Sequence, residues 1–198
     1  MDTLANKKNW ILDQERFFVR ELAVRVIDTP RLSMWMILMP IFLVYHIYRH
    51  NNALKGRSVF VDHYMLSRTR SLEEAFHALA EHRPPDIDGV VAGAVDLPPS
   101  ARPAYKAWIT VLIRHYCDLL QASGADHRAL VRQVFHTRSN YLIFLNQLNQ
   151  LEKSLNAALT NHLEETTADA AETIQRIEAA SAELRRFQAE AVFPRNRV

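Results

Sequence analysis

Residues 141–158 read YLIFLNQLNQLEKSLNAA, and this stretch decides the fold class. Tyr141, Phe144, Leu148, Leu151, Leu155 and Ala158 recur at alternating steps of three and four. An α-helix brings residues three and four apart onto one face, so these six form an apolar stripe that packs against another helix. They are the expected helix–helix interface of an all-α protein.

Working outward, no glycine or proline interrupts the chain between Gly124 and Pro194. That allows one long C-terminal helix, or a helical hairpin turning near Asn161 to Thr167. The stripe lapses at His162 and Glu165. It resumes in a second register at Ala170, Ile174, Ile177, Ser181 and Leu184, and two registers mean a phase slip. Small residues at the contact positions and a charged exterior predict residues 161–198 to be a charged amphipathic arm and tail.

Upstream, Pro103 suits the first turn of a helix carrying Tyr105, Trp108, Ile109, Leu112, Tyr116, Leu119 and Leu120. Gly124 is placed to end it as a left-handed cap, and Asp126 to cap the next helix. The pairs Pro84–Pro85 and Pro98–Pro99, with Gly89 and Gly93, predict a long loop over 83–102 that interrupts a bundle spanning 51–160. Ile87, Val90, Val91, Val95 and Leu97 let that loop pack as a flap. Ser71-Leu72-Glu73-Glu74 reads as a capping box that starts a helix at Ser71. Residues 49–70 before it read as a polar connection, continuing as helix or irregular chain.

The N-terminal 50 residues form a separate unit. Over 9–28, Ile11, Leu12, Phe18, Val19, Leu22 and Val26 share one helical face, and Glu15, Phe17 and Val24 break the pattern. Residues 32–48 then read LSMWMILMPIFLVYHIY, seventeen residues without a formal charge apart from any on His46. As a helix this segment is about 25 Å long, at the lower limit for crossing a bilayer core. It does not read as a cleaved leader, because a charged stretch precedes it and no small-residue cleavage site follows. Trp35, Met36, Ile37, Leu38, Pro40, Ile41, Phe42, Leu43, Val44 and Tyr45 are the expected membrane anchor, with a kink at Pro40. A kinked span and a wedge that enters and leaves one face both fit. The flanking charges tie, with Arg16, Arg20, Arg25 and Arg31 against Arg49, Lys55, Arg57 and Arg68. A buried core helix of a soluble bundle is the competing reading.

Composition narrows function mainly by exclusion. The chain has 198 residues, 48% hydrophobic and 23% charged, which suits a buried core rather than wholesale disorder. Its four glycines are too few and too dispersed for a Gly-rich phosphate loop. A net charge of +2 with scattered basic residues argues against nucleic acid as a partner. Cys117 is the sole cysteine and reads as a small buried hydrophobe.

Three constellations carry possible chemistry. Glu74 and His77 have the E-x-x-H spacing of carboxylate-bridged metal bundles, but no second copy occurs. His46 and His50 are one turn apart and lack a third ligand. Arg114, His115 and Asp118 read as a polar helix face, with Arg114 and Asp118 as an ordinary i, i+4 pair. No catalytic residue, cofactor or metal is expected from these patterns.

His115 to Gly124 (HYCDLLQASG) and Arg138 to Lys153 (RSNYLIFLNQLNQLEK) resemble a group of bacterial all-helical proteins of about this length with an apolar N-terminal segment. That group has no assigned activity. The resemblance implies a bacterial origin and assigns no functional residue.

The expectation is a membrane-associated scaffold, adaptor or accessory subunit, acting through helix–helix contacts. Its partners would be membrane lipid and a protein, or a second copy engaged through the C-terminal helices. The setting is the bacterial inner membrane, with the bulk of the chain cytoplasmic. The alternative is a soluble helical enzyme or ligand-binding protein with a pocket under the 83–102 loop.

Overall fold

The structure is a computed structural model that describes residues 3–26, 56–95, 97–160 and 168–194. Every regular element among them is helical and none is a strand, so the protein is all-α. In chain order the elements are α1 (Leu4–Val26), α2 (Gly56–Ala80), α3 (Ile87–Ala92), a 3₁₀ turn (Pro99–Ala101), α4 (Arg102–Gln121), α5 (His127–Phe135), α6 (Arg138–Thr160) and α7 (Ala168–Val192).

The core is built around α4. Tyr105, Trp108, Ile109, Leu112, Ile113, His115, Tyr116, Leu119 and Leu120 are all buried, a stripe wide enough to serve several neighbours at once. α1, α2 and α6 pack along it, and α3 and α5 contact it as well. α4 starts with proline in its first turn, as the sequence predicts, but ends differently. Ala122 turns the chain out in an extended conformation, and no described glycine has a positive φ. Gly124 is needed for space instead, since a Cβ there would sit 2.7 Å from the Ala129 Cβ.

α1 and α2 run antiparallel. Lys8 Nζ lies 2.6 Å from Glu73 Oε2, and one to two turns further on Arg68 Nη1 lies 2.7 Å from Glu15 Oε2. The helix expected to begin at Ser71 begins at Gly56. Ser71 is fully buried in mid-helix, where its hydroxyl donates to the Ser67 carbonyl at 2.8 Å. The capping pattern is overridden because Phe60 and Met65, upstream of Ser71, cover Phe18, Val19 and Leu22 of α1.

The 83–102 segment is shorter on irregular chain than its prolines and glycines suggest. The Asp86 carboxylate accepts from the Gly89 amide at 2.8 Å and starts α3. A Cβ on Gly89 would collide with that carboxylate, so the cap requires glycine. Val91, Ala94, Leu97 and Ala101 are buried in the main core, so the segment lies folded down on the bundle.

The C-terminal pair is a hairpin rather than one long helix. Asn156 bonds Glu178 at 3.1 Å and Arg138 bonds Glu190 at 2.9 Å, which sets α6 and α7 antiparallel. α7 is not an exposed arm. Thr173, Ile177, Ser181, Leu184, Arg185, Ala189 and Val192 are buried, and the helix packs on both α6 and α1. Its small contact residues, which weaken the seam as read from sequence, are what admit it closely to two helices.

The apolar segment 32–48, with every expected anchor residue from Trp35 to Tyr45, lies outside the described residues, as do His46 and His50. Among the described residues no helix is long and apolar enough to cross a membrane.

Candidate functional site

Two features depart from an ordinary apolar bundle, and they share a wall. The first is a charge network inside the bundle. Glu15 of α1, one of the residues that break the amphipathic pattern, points inward. Arg68 of α2 donates to it at 2.7 Å, and to Glu152 of α6 at 2.6 Å. Arg185 of α7 donates to the same Glu152 oxygen at 2.8 Å, and also to Asn149. Tyr116 of α4 closes the set, its hydroxyl donating to Glu15 at 2.9 Å. Five helices are thereby linked.

Burial here is deep. The two arginine side chains are 2% and 3% exposed, and the two glutamates 17% and 14%. Isolated charges this far from water cost several kcal/mol each, so they persist only when paired. Two guanidinium groups and two carboxylates give a neutral set. Aromatic faces contribute too: the Arg68 guanidinium lies 5.2 Å from the Tyr64 ring, 5.7 Å from Phe18 and 5.8 Å from Trp108. The Arg185 guanidinium lies 5.3 Å from the centre of the same Phe18 ring.

These contacts set the protonation states. Burial raises the Glu152 carboxyl, but Arg185 and Arg68 outweigh it and hold the group below its usual range. Burial opposes the charge on Arg68, and Glu15, Tyr64 and Glu152 more than offset this, so it stays protonated. Tyr116 is raised, first by burial and then by Glu15. A general base needs a free lone pair facing a substrate. Glu152 instead holds two guanidiniums and Glu15 holds a guanidinium and a phenol, so the network stabilises structure.

The second feature is a cleft between α1, α5 and α7, of about 320 Å³. Phe18 and Leu184 line it from the core, and Phe17, Phe187, Arg25 and His127 stand around it. Phe17 is 56% exposed and Phe187 51%, while Val24, about two turns on from Phe17 along α1 and not part of the cleft lining, is 47% exposed. The Arg25 guanidinium lies over the Phe187 ring at 5.4 Å and pairs with Glu183 at 3.2 Å. Burial lowers the His127 imidazole to about 4, so it is neutral at pH 7.

The constellations read from sequence resolve separately. Glu74 turns away from His77: it accepts from Arg83 at 2.6 Å and from the Asp86 amide at 2.6 Å, tying α2 to the start of α3. His77 sits 3.8 Å from Glu73 and 4.0 Å from Glu81. No group of three or more metal-capable side chains occurs among the described residues. His115 is not on a polar face. It is buried against Phe144 at 4.2 Å, Phe135 at 5.7 Å and Tyr116 at 5.8 Å, and burial lowers it to about 3. Asp118 is pushed up by burial, with Arg114 offsetting this only in part. The Cys117 thiol is half-buried and raised, first by burial, which is the opposite of an activated nucleophile.

The expected interface residues lie inside the molecule. Tyr141, Leu148 and Leu155 are buried, and Phe144, Leu151 and Ala158 are partly buried against the same core. Sequence reading missed the charge network, although its signal was present: Glu15 sits on an otherwise apolar helix face. It missed the cleft as well, whose signal was Phe17 on the polar side of α1.

No known family model, curated protein or solved structure matches this chain.

Proposed function

We propose that the protein is a membrane-associated helical adaptor. Residues 32–48 hold it at the lipid surface, and the cleft between α1 and α7 receives an amphipathic helix from a protein partner. The observation that carries this reading is the pair of half-exposed aromatics, Phe17 and Phe187, standing across that cleft. The Tyr141–Ala158 seam is used within the bundle, so an outward contact has to draw on what remains exposed. Among the described residues, Phe17, Val24 and Phe187 are three of the six large exposed hydrophobics, and these three are on α1 and α7. Two antiparallel-packed helices with aromatic anchors between them suit a third helix, and Glu21, Arg25 and Arg128 supply a mixed-charge rim. The buried charges are spent on one another, which favours binding over catalysis. A ligand pocket under residues 83–102 is less favoured, because Val91, Ala94, Leu97 and Ala101 fill the space beneath that segment.

The test has two readouts. Membranes from cells expressing the full chain are washed with high salt and with alkaline carbonate, and the protein is expected to stay in the pellet. A photo-crosslinking residue at position 17 or 187 is expected to give one defined protein adduct, and the same residue at Arg114, on exposed α4 surface, to give none. Release into the soluble fraction sinks the membrane assignment; equal adducts from all three positions sink the cleft assignment. Phe17→Ser should abolish the adduct formed from position 187, and Phe187→Ser that formed from position 17, each at a cost in stability of no more than about 1 kcal/mol.

A further inference from the structure

We infer that the outward face of α6 binds a second copy of this chain, as an antiparallel two-fold pair of α6 helices. The surface is apart from the cleft, and the inference goes beyond the reading built on that cleft. Asn140, Ile143, Gln147, Gln150, Ser154 and Ala157 are all exposed and share one side of the helix. The buried stripe of Tyr141, Leu145, Leu148, Leu155 and Leu159 faces the other way, into the bundle. None of the six outward residues carries a charge.

Other water-facing helices of the molecule are different. The exposed side of α7 carries Glu172, Arg176, Glu183, Arg186 and Glu190, and that of α1 carries Asp13, Arg16 and Arg20. Of the exposed positions from 139 to 157, only Lys153 is charged, and it lies 3.9 Å from Glu178 of its own α7. Depletion of charge is what marks the centre of a protein interface. The same depletion disfavours other occupants. Nucleic acid and anionic headgroups need several cations, and a charged peptide finds no opposite charge to meet.

The order of the residues selects a second copy. A two-fold axis sets one patch against itself, so each residue has to suit the one the axis brings to it. Along the stripe the steps are three, four, three, four and three, which read the same from either end. Two α6 helices laid antiparallel, with the axis between Gln147 and Gln150, therefore match the stripe onto itself. Gln147 meets the second copy's Gln150, and carboxamides both donate and accept, so the pair is self-complementary. Ile143 meets the small Ser154, and Asn140 the small Ala157, so bulk faces space towards both ends. Ile143 is 67% exposed in the single chain and gains cover. Asn140 already donates to the Phe135 carbonyl at 3.0 Å, and Ser154 to the Gln150 carbonyl at 3.0 Å. The two central glutamines therefore carry the polar specificity. The two Lys153 residues stand about 14 Å apart along the axis, beyond the screening length of about 8 Å at physiological salt. A parallel pairing would instead set Lys153 beside its own copy. One helix face is smaller than the roughly 800 Å² per partner of a standard interface, so the association is weak, in the micromolar range or above.

The experiment uses the full chain with Cys117→Ala, at about 100 µM. Two variants carry one new cysteine each, Ile143→Cys and Ser154→Cys, and only one of them bears an affinity tag. Mild oxidation of the mixture is expected to give a disulfide-linked dimer of one tagged and one untagged chain. Either variant alone is expected to give far less, because like positions stand about 16 Å apart along the axis and a disulfide needs Cα atoms within about 7 Å. Equal yields from the single variants and the mixture overturn the antiparallel register. A yield no higher than that from an Arg114→Cys control overturns the interface. A second measurement needs no cysteine. Gln147→Glu with Gln150→Glu gathers four carboxylates at the axis and should weaken self-association about tenfold or more in sedimentation equilibrium. Gln147→Lys with Gln150→Glu should restore it, since each lysine then faces a glutamate. Sedimentation that neither pair of changes alters overturns the proposal and leaves the cleft assignment standing.

Discussion

Replacing Arg68 with methionine keeps much of the side-chain volume and removes the charge at the centre of the network. Its two carboxylates are then left unequally. Glu152 keeps Arg185 at 2.8 Å, while Glu15, among the described residues, keeps the Tyr116 hydroxyl at 2.9 Å and no cation in hydrogen-bond contact. Glu15 is 17% exposed, so an unpaired carboxylate there is poorly reached by water. Removing one partner of a buried pair costs about 3–5 kcal/mol, much of it the penalty on the orphaned charge. Against a total stability of about 5–15 kcal/mol this is severe. The penalty lies in the orphan, so a second change should relieve it. Glu15→Gln keeps an acceptor for Tyr116 and removes the charge, and in the Arg68→Met background it should recover about 1–3 kcal/mol. Urea denaturation followed by far-ultraviolet circular dichroism measures all four members of the cycle, with equal m-values confirming a shared two-state transition. A loss below about 1 kcal/mol for Arg68→Met, or strict additivity of the two changes, would refute the argument that the pair is held by mutual neutralisation.

Acid should destabilise the fold through its buried histidines. His115 and His127 have folded values of about 3 and about 4 against an ordinary 6.5, so the unfolded chain takes up protons first. Their contribution is complete above pH 6.5 and is lost as the pH falls towards 4 and then 3. His115→Phe should flatten urea midpoints measured across that range, and an unchanged slope would show that His115 is not held neutral by burial. Glu152 adds to acid loss at lower pH, because its folded value is depressed and its stabilisation fades as the pH falls through that value; Glu152→Gln should remove this part of the profile. Gly124→Ala should cost about 1–3 kcal/mol by overpacking against Ala129 and the Leu130 amide, read as a drop in denaturation midpoint. Ser71→Ala exchanges a hydroxyl that bonds back to the Ser67 carbonyl for a better helix former of smaller size, so it should change stability by less than about 0.5 kcal/mol, where loss of a true N-cap would cost about 1 kcal/mol.

The helices that carry a regular apolar stripe were readable one by one. Tyr141 to Ala158 and Tyr105 to Leu120 each declare a helix because burial demands one apolar face every 3.6 residues. Punctuation was read less well. Ser71 has the residues of a capping box, yet the apolar positions upstream of it find cover on α1, and tertiary burial outweighs a cap. Gly124 sits where a left-handed cap belongs, but its glycine answers to the proximity of Ala129. Both signals have more than one physical cause, and only the neighbours in space choose between them.

The candidate site shows the same division more sharply. Glu15, Phe17 and Val24 stood out in the sequence as breaks in an amphipathic pattern. A break says that a residue is out of place for a lone helix and is silent about what meets it. The carboxylate found Arg68 and Tyr116 from helices far along the chain, and Phe17 found Phe187 across a cleft. For α7, small residues looked like a weak seam until two helices were seen to close on them. The sequence by itself determined the all-α class, the main core stripes and the apolar character of residues 32–48, since these depend on local period and composition. Tertiary structure alone decided the pairing of buried charges, the α1–α7 cleft and the antiparallel packing of α1 on α2, because each depends on contacts between residues that chain order keeps apart.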